Sequence, residues 1–177
     1  MEGPFKIPEC IFQHAILYVK SRVKANQKHY EQLWWKRRNF ILKNPILFDG
    51  PIEGDFYTDF KGILAELLVR HRMDLTGQNF TASAFVKEKG NNDPDLIVNE
   101  KTIDIKGCEK SLKVNLQSLS KINVDYIVFV LYLRDKHFVV YKFKKSDISK
   151  WDIVTVNKNN QYYEYKIDKR KWRHQIK

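Results

Sequence analysis

The run Tyr126-Ile-Val-Phe-Val-Leu-Tyr-Leu133 limits the possible folds more than any other stretch of the chain. Eight consecutive apolar or aromatic residues are far short of the ~20 needed for a membrane-spanning helix. β-branched and aromatic side chains of this kind suit a pleated surface, so the run reads as a core strand. Arg134-Asp135-Lys136 follows as a short turn, and His137–Phe143 as the next strand. Residues 9–43 read mostly as helix, starting near Pro8 and stopped by Asn44-Pro45. Ile11, Ala15, Val19 and Val23 form its apolar stripe, which Leu33 extends. Residues 46–57, with Gly50-Pro51 and Gly54, read as a loop. A second helix is expected from about Thr58 to Met73, burying Phe60, Ile63, Leu64, Leu67 and Leu68, with Glu66 at the edge of that face and a break at Gly77.

Downstream the period shortens. Phe80–Val86 reads as a strand and Lys87–Pro94 as a polar loop. Asp95–Val98 and Thr102–Gly107 read as two short strands, and Ser111–Lys121 as a helix with Leu112, Leu116 and Leu119 on one side. Ser146–Trp151 is a short helix or turn, and Ile153–Val156 with Tyr162–Ile167 forms a late hairpin. No repeat or domain boundary interrupts this order. The 177 residues suit one domain with a real core. The expected fold is an α/β sandwich, a central mixed β-sheet flanked by helices.

Charge narrows the partners. The net charge is +11, and the excess is gathered in two segments. Residues 20–43 hold eight basic side chains and one acidic one; residues 166–177 hold six and one. Clustered basic charge suggests a polyanion, with nucleic acid first; the plain alternative is a lysine-rich solvated surface. Trp34-Trp35-Lys36-Arg37-Arg38 sets aromatics beside cations, as nucleic-acid surfaces do, though the tryptophans equally suit core or dimer contacts. The two cysteines, Cys10 and Cys108, form no zinc-like cluster. Cys108 is expected to be a near-core thiol. The five histidines, His14, His29, His71, His137 and His174, show no ligand spacing. The opening Met-Glu-Gly-Pro-Phe-Lys lacks the apolar core of a secretory signal, and a reduced, cytoplasmic setting is expected.

Chemistry concentrates between Asn92 and Lys106. If Asn99-Glu100 is a two-residue turn, Leu96 faces Ile103 and Asp95 faces Asp104 on the partner strand. Alternation then puts Leu96, Val98, Ile103 and Ile105 on one face and gathers Asp95, Asp104 and Lys106 on the other. Opposed carboxylates repel unless a positive group lies between them. A hard divalent cation meets that need, and a neighbouring lysine can orient a water at a phosphate. An exposed hairpin with scattered charges is the competing reading.

Pro94-Asp95, eight intervening residues, then Asp104-Ile105-Lys106 resembles the signature of the PD-(D/E)XK nuclease superfamily. The resemblance spans roughly residues 58–143, taken as the catalytic core. It implies a restriction-endonuclease-like sandwich and a site of Glu66, Asp95, Asp104 and Lys106. Asp95, Asp104, the Ile105 carbonyl and Glu66 would hold Mg²⁺, with Mn²⁺ able to substitute, and Lys106 would position the attacking water. The helix after the active strand flanks the site in that superfamily, so Lys110, Lys113, Asn115, Gln117 and Ser118 are candidate DNA contacts, or else a solvated helix face. Arg37 and Arg38 are further candidates, and Gly107 is read as letting substrate approach closely. The implied function is a metal-dependent endonuclease on double-stranded DNA. A sequence-specific type II restriction enzyme comes first, of prokaryotic or phage origin, working as a homodimer because a duplex has two strands to cut. Homing or junction-resolving nucleases, and a non-catalytic nucleic-acid-binding protein, are the alternatives.

Overall fold

The computed structural model describes residues 1–25, 41–82, 93–157 and 160–168. Its centre is a six-stranded sheet in the order β1-β9-β8-β6-β5-β4. These strands are β1 (Glu2–Lys6), β4 (Thr81–Ala82), β5 (Leu96–Val98), β6 (Lys101–Cys108), β8 (Tyr126–Leu133) and β9 (His137–Lys144). Only β6 and β8 run parallel, so the sheet is mixed. The apolar run lies at its heart. Each residue from Ile127 to Leu133 is buried, which explains why the run carries no polar alternation.

The two faces of the sheet are covered differently. On one, the helices α1 (Glu9–Ala25) and α2 (Gly54–Leu75) pack through Phe12, Ala15, Val19, Phe60, Leu64 and Leu68 onto Leu96, Ile103, Ile105, Val128 and Val130. On the other, a three-stranded sheet of β7 (Leu112–Asn115), β10 (Asp152–Asn157) and β11 (Asn160–Tyr165) joins two short helices, α3 (Leu116–Lys121) and α4 (Lys145–Ile148). Leu112, Val114, Leu119 and Ile148 cover Ile127, Phe129, Leu131 and Val139 there. The fold is therefore mixed α/β with a central mixed sheet flanked by helices, one flank being shared with the small sheet.

Several expectations need correction. The first helix does not reach residue 43. Ile41–Leu42 (β2) pairs antiparallel with Ile52–Glu53 (β3), giving both short segments backbone partners. Residues 46–57 are not all loop, since α2 begins at Gly54 and brings Tyr57 into the core. Ser111–Lys121 is half strand. Leu112 and Val114 alternate with exposed Lys113 and pair with β11, and only after Asn115 does the chain turn helical. The Asn115 side chain accepts the Ser118 amide at 3.1 Å, an N-cap that fixes the boundary. Strand β1 was not anticipated. The start of the strand expected at Phe80–Val86 is seen as Thr81–Ala82, and its remainder lies outside the described residues.

Candidate active site

Asn99 and Glu100 have φ of 48° and 64°. Two successive left-handed residues make a type I′ turn, which matches strand twist in a tight hairpin. The register is the one read from the sequence: Val98 opposite Lys101, Ile97 opposite Thr102, Leu96 opposite Ile103. The ladder stops there, one step before Asp95 meets Asp104. Asp95 sits in a bend, where its amide donates to the Ile103 carbonyl at 2.8 Å. Its carboxylate Oδ2 accepts the Ile105 amide at 2.6 Å. Asp95 is thus clamped to the β6 backbone on both sides of Asp104. Ile103 and Ile105 are buried toward α2, and strand alternation turns Asp104 and Lys106 to the other face.

Asp95 and Asp104 are 5% and 6% exposed, and among the described residues they are the two charged side chains that are buried. Ionised carboxylates out of water need compensation. Lys106 supplies part of it, its Nζ 2.7 Å from Asp104 Oδ2, while its side chain stays 38% exposed and so reaches solvent. Burial pulls the Lys106 pKa down, but Asp104, Asp95 and Glu66 push it up further, and the net shift is upward. Glu66 therefore acts on the lysine through its charge. It stands on α2, paired with Arg70 at 3.4 Å. Asp95, Asp104 and Lys106 are in direct or backbone-mediated contact, whereas Glu66 reaches the lysine only through its charge, the smallest of the three acidic effects.

The donor set fits a hard divalent ion, being all carboxylate oxygen. Among the described residues, no three Asp, Glu, His or Cys side chains form a metal-holding group. An ion here would rest on Asp95 and Asp104, with water or substrate oxygen completing its shell, a pattern usual for Mg²⁺. Ile105, expected to lend its carbonyl, is fixed in place by the bond from its amide to Asp95.

The outer candidates separate. Arg37 and Arg38, with Trp34 and Trp35, lie outside the described residues. Lys110 and Gln117 are exposed. Lys113 pairs with Glu164 at 3.1 Å, and Asn115 is spent on the helix cap. Gly107 faces α2. A Cβ there would lie 2.4 Å from the Lys61 carbonyl oxygen, so the glycine lets α2 press against β6. Burial pushes the Cys108 thiol up to about 11, in keeping with an unreactive near-core residue.

Sequence reasoning missed a second polar cluster. Tyr57 Oη donates to Glu109 Oε1 and accepts the Leu47 amide at 3.3 Å. Lys61 Nζ lies 3.3 Å from Glu109 Oε2, and Tyr132 Oη donates to the Lys61 carbonyl at 2.6 Å. Tyr57 and Glu109 line a cleft of about 1340 Å³. Fifty-two residues separate them, so no local spacing could have revealed the pair. Asp95, Asp104 and Lys106 do not line this cleft.

No protein-family model matches the chain, and no curated protein matches it. No described helix is long and apolar enough to cross a membrane.

Proposed function

We propose that this protein is a metal-dependent endonuclease that hydrolyses DNA phosphodiester bonds, of the restriction type within a PD-(D/E)XK-like, restriction-endonuclease-like scaffold. The observation that carries the reading is the pair of buried carboxylates, Asp95 and Asp104, beside a lysine that reaches solvent from the same strand. Burying two like charges costs stability unless they serve a cation. A divalent ion bound there would lower the pKa of a bound water and support charge on the transition-state oxygens. The chain's own residues do the rest. Lys106, cationic and fixed by Asp104, offers hydrogen bonds to a phosphate oxygen or to the attacking water. Asp95 holds the Ile105 amide and keeps the β6 backbone in register beside the reacting group. Asp104, with smaller contributions from Asp95 and Glu66, favours the protonated form of Lys106. The basic excess of the chain supplies affinity for the polyanion, and a homodimer would present two such sites to a duplex.

One observation favours a non-catalytic nucleic-acid-binding protein instead. Lys106 already neutralises Asp104 at 2.7 Å, which gives the acid a purely structural partner. Metal dependence separates the two readings. Purified protein should nick supercoiled plasmid with Mg²⁺ or Mn²⁺. It should bind but barely cut with Ca²⁺, which is larger and less strict in geometry. Excess EDTA should stop cleavage. Unchanged cleavage in EDTA would sink the metal mechanism, and binding without cleavage in every ion would favour the second reading.

A further inference from the structure

A cleft of about 840 Å³ opens where β6 and β8 begin and β9 ends. Lys101, Lys144 and Lys145 line it with the hydroxyls of Ser120, Ser146 and Ser149, against a single acid, Asp125. That acid is already engaged. Its Oδ2 accepts the Thr102 amide at 2.9 Å and the Thr102 hydroxyl at 3.0 Å, and its Oδ1 faces Lys101 at 3.6 Å. Lys145 Nζ donates to the Ile122 carbonyl at 2.5 Å, which fixes that ammonium at the wall. Lys144 is exposed and sits opposite Tyr126 in the β8–β9 register. Lysines surrounded by serine hydroxyls are the side chains that contact sugar-phosphate backbone. The cleft is much larger than one phosphate ion. Its cations come from two strands and a helix, an arrangement suited to a polymer.

We propose that this cleft is a second DNA contact, one that grips the sugar-phosphate backbone beside the candidate active site. The proposal rests on the reading of the chain as a DNA nuclease. Lys101 and Lys106 belong to one strand, five residues or about 17 Å apart. That span corresponds to roughly five base-pair steps along a duplex. The cleft also draws on Leu119 and Val124, residues of the core on the face to which Asp104 and Lys106 turn. Five residues apart, Lys101 alternates to the face opposite Lys106, so a duplex would meet both sites across the end of β6 and not along one face of it.

The test is binding of unrelated DNA duplexes in EDTA, followed by fluorescence anisotropy between 50 and 200 mM salt. The double variant Lys101→Gln/Lys144→Gln removes two exposed charges and leaves the anchored Lys145 alone. Its slope of log affinity against log salt should be shallower by about 1.8, because each phosphate contact contributes about 0.9. Raising the salt fourfold should then cost the variant about 12-fold less affinity than it costs the wild type. Lys6→Gln/Arg134→Gln removes two exposed charges at the opposite end of β9 and should keep the wild-type slope. Lys101→Arg/Lys144→Arg should also keep it, which guards against a folding defect. An unchanged slope in the glutamine variant, or an equal fall in the distal control, overturns the proposal while wild-type cleavage leaves the nuclease reading standing. Absence of any duplex binding by the wild type overturns both.

Discussion

Asp95 and Asp104 are held in place by opposite means. Asp95 is clamped through backbone amides, and Asp104 through the Lys106 ammonium. On the proposed reading, Asp104→Asn removes a carboxylate that would ligate the metal and would face substrate phosphate. Cleavage should vanish, while metal-free DNA binding should tighten or hold; a gel-shift showing lost binding would contradict this assignment. Glu66→Gln should cost less activity, because Glu66 acts on Lys106 through its charge and is paired with Arg70. Equal losses for the two variants would place Glu66 in the reaction itself. Cys108 gives a separate check at this scale. With its thiol near 11, only on the order of 10⁻³ of it is thiolate at pH 8. Alkylation of the native protein at pH 8 should label exposed Cys10 and spare Cys108, whose reactivity should rise only as pH approaches 11. Rapid labelling of Cys108 at pH 8 would refute its partly buried, near-core placement.

The hairpin of β5 and β6 was legible because its cues are local. A two-residue turn and strict alternation predicted the register and the buried isoleucine face. The bend at Asp95 was not legible, since it depends on a carboxylate reaching the Ile105 amide instead of extending the ladder. Helix α2 was read correctly on its buried face, yet its start was placed four residues late, because Gly54 carries a loop-like signal that tertiary contacts override. The segment after Lys110 failed for a related reason. Leucines at 112, 116 and 119 fit a helical stripe, but pairing with the distant β11 claims the first part as strand. Gly107 joins these elements. Gly107→Ala drives a methyl group into the Lys61 backbone, which cannot yield without shifting α2. We expect a destabilisation of about 1–3 kcal/mol or more, visible as a lower melting temperature. An unchanged melting curve would show that α2 and β6 are less closely packed than described.

At the scale of the molecule, the order of elements in the sequence foretold a central mixed sheet flanked by helices, with the apolar run of β8 as a core strand. It did not foretell that a small sheet supplies much of the cover on one side, since β7 and β11 pair across some fifty residues. The same remoteness hid the Tyr57–Glu109–Lys61 cluster. Burial and charge act together on this frame. The apolar layers fix β6, and β6 carries Asp104 and Lys106 on the face turned away from α2. The most direct test is plasmid cleavage with Mg²⁺ by wild type and Lys106→Ala, alongside melting curves for both. The wild type should nick the plasmid. The variant, in which buried Asp104 loses its ion-pair partner, should melt lower yet stay folded at the assay temperature, and its cleavage there should fall on the order of 10²-fold or more if Lys106 positions or stabilises the reacting groups. Undiminished cleavage by the folded variant, or an intact plasmid with the wild type, would contradict the account.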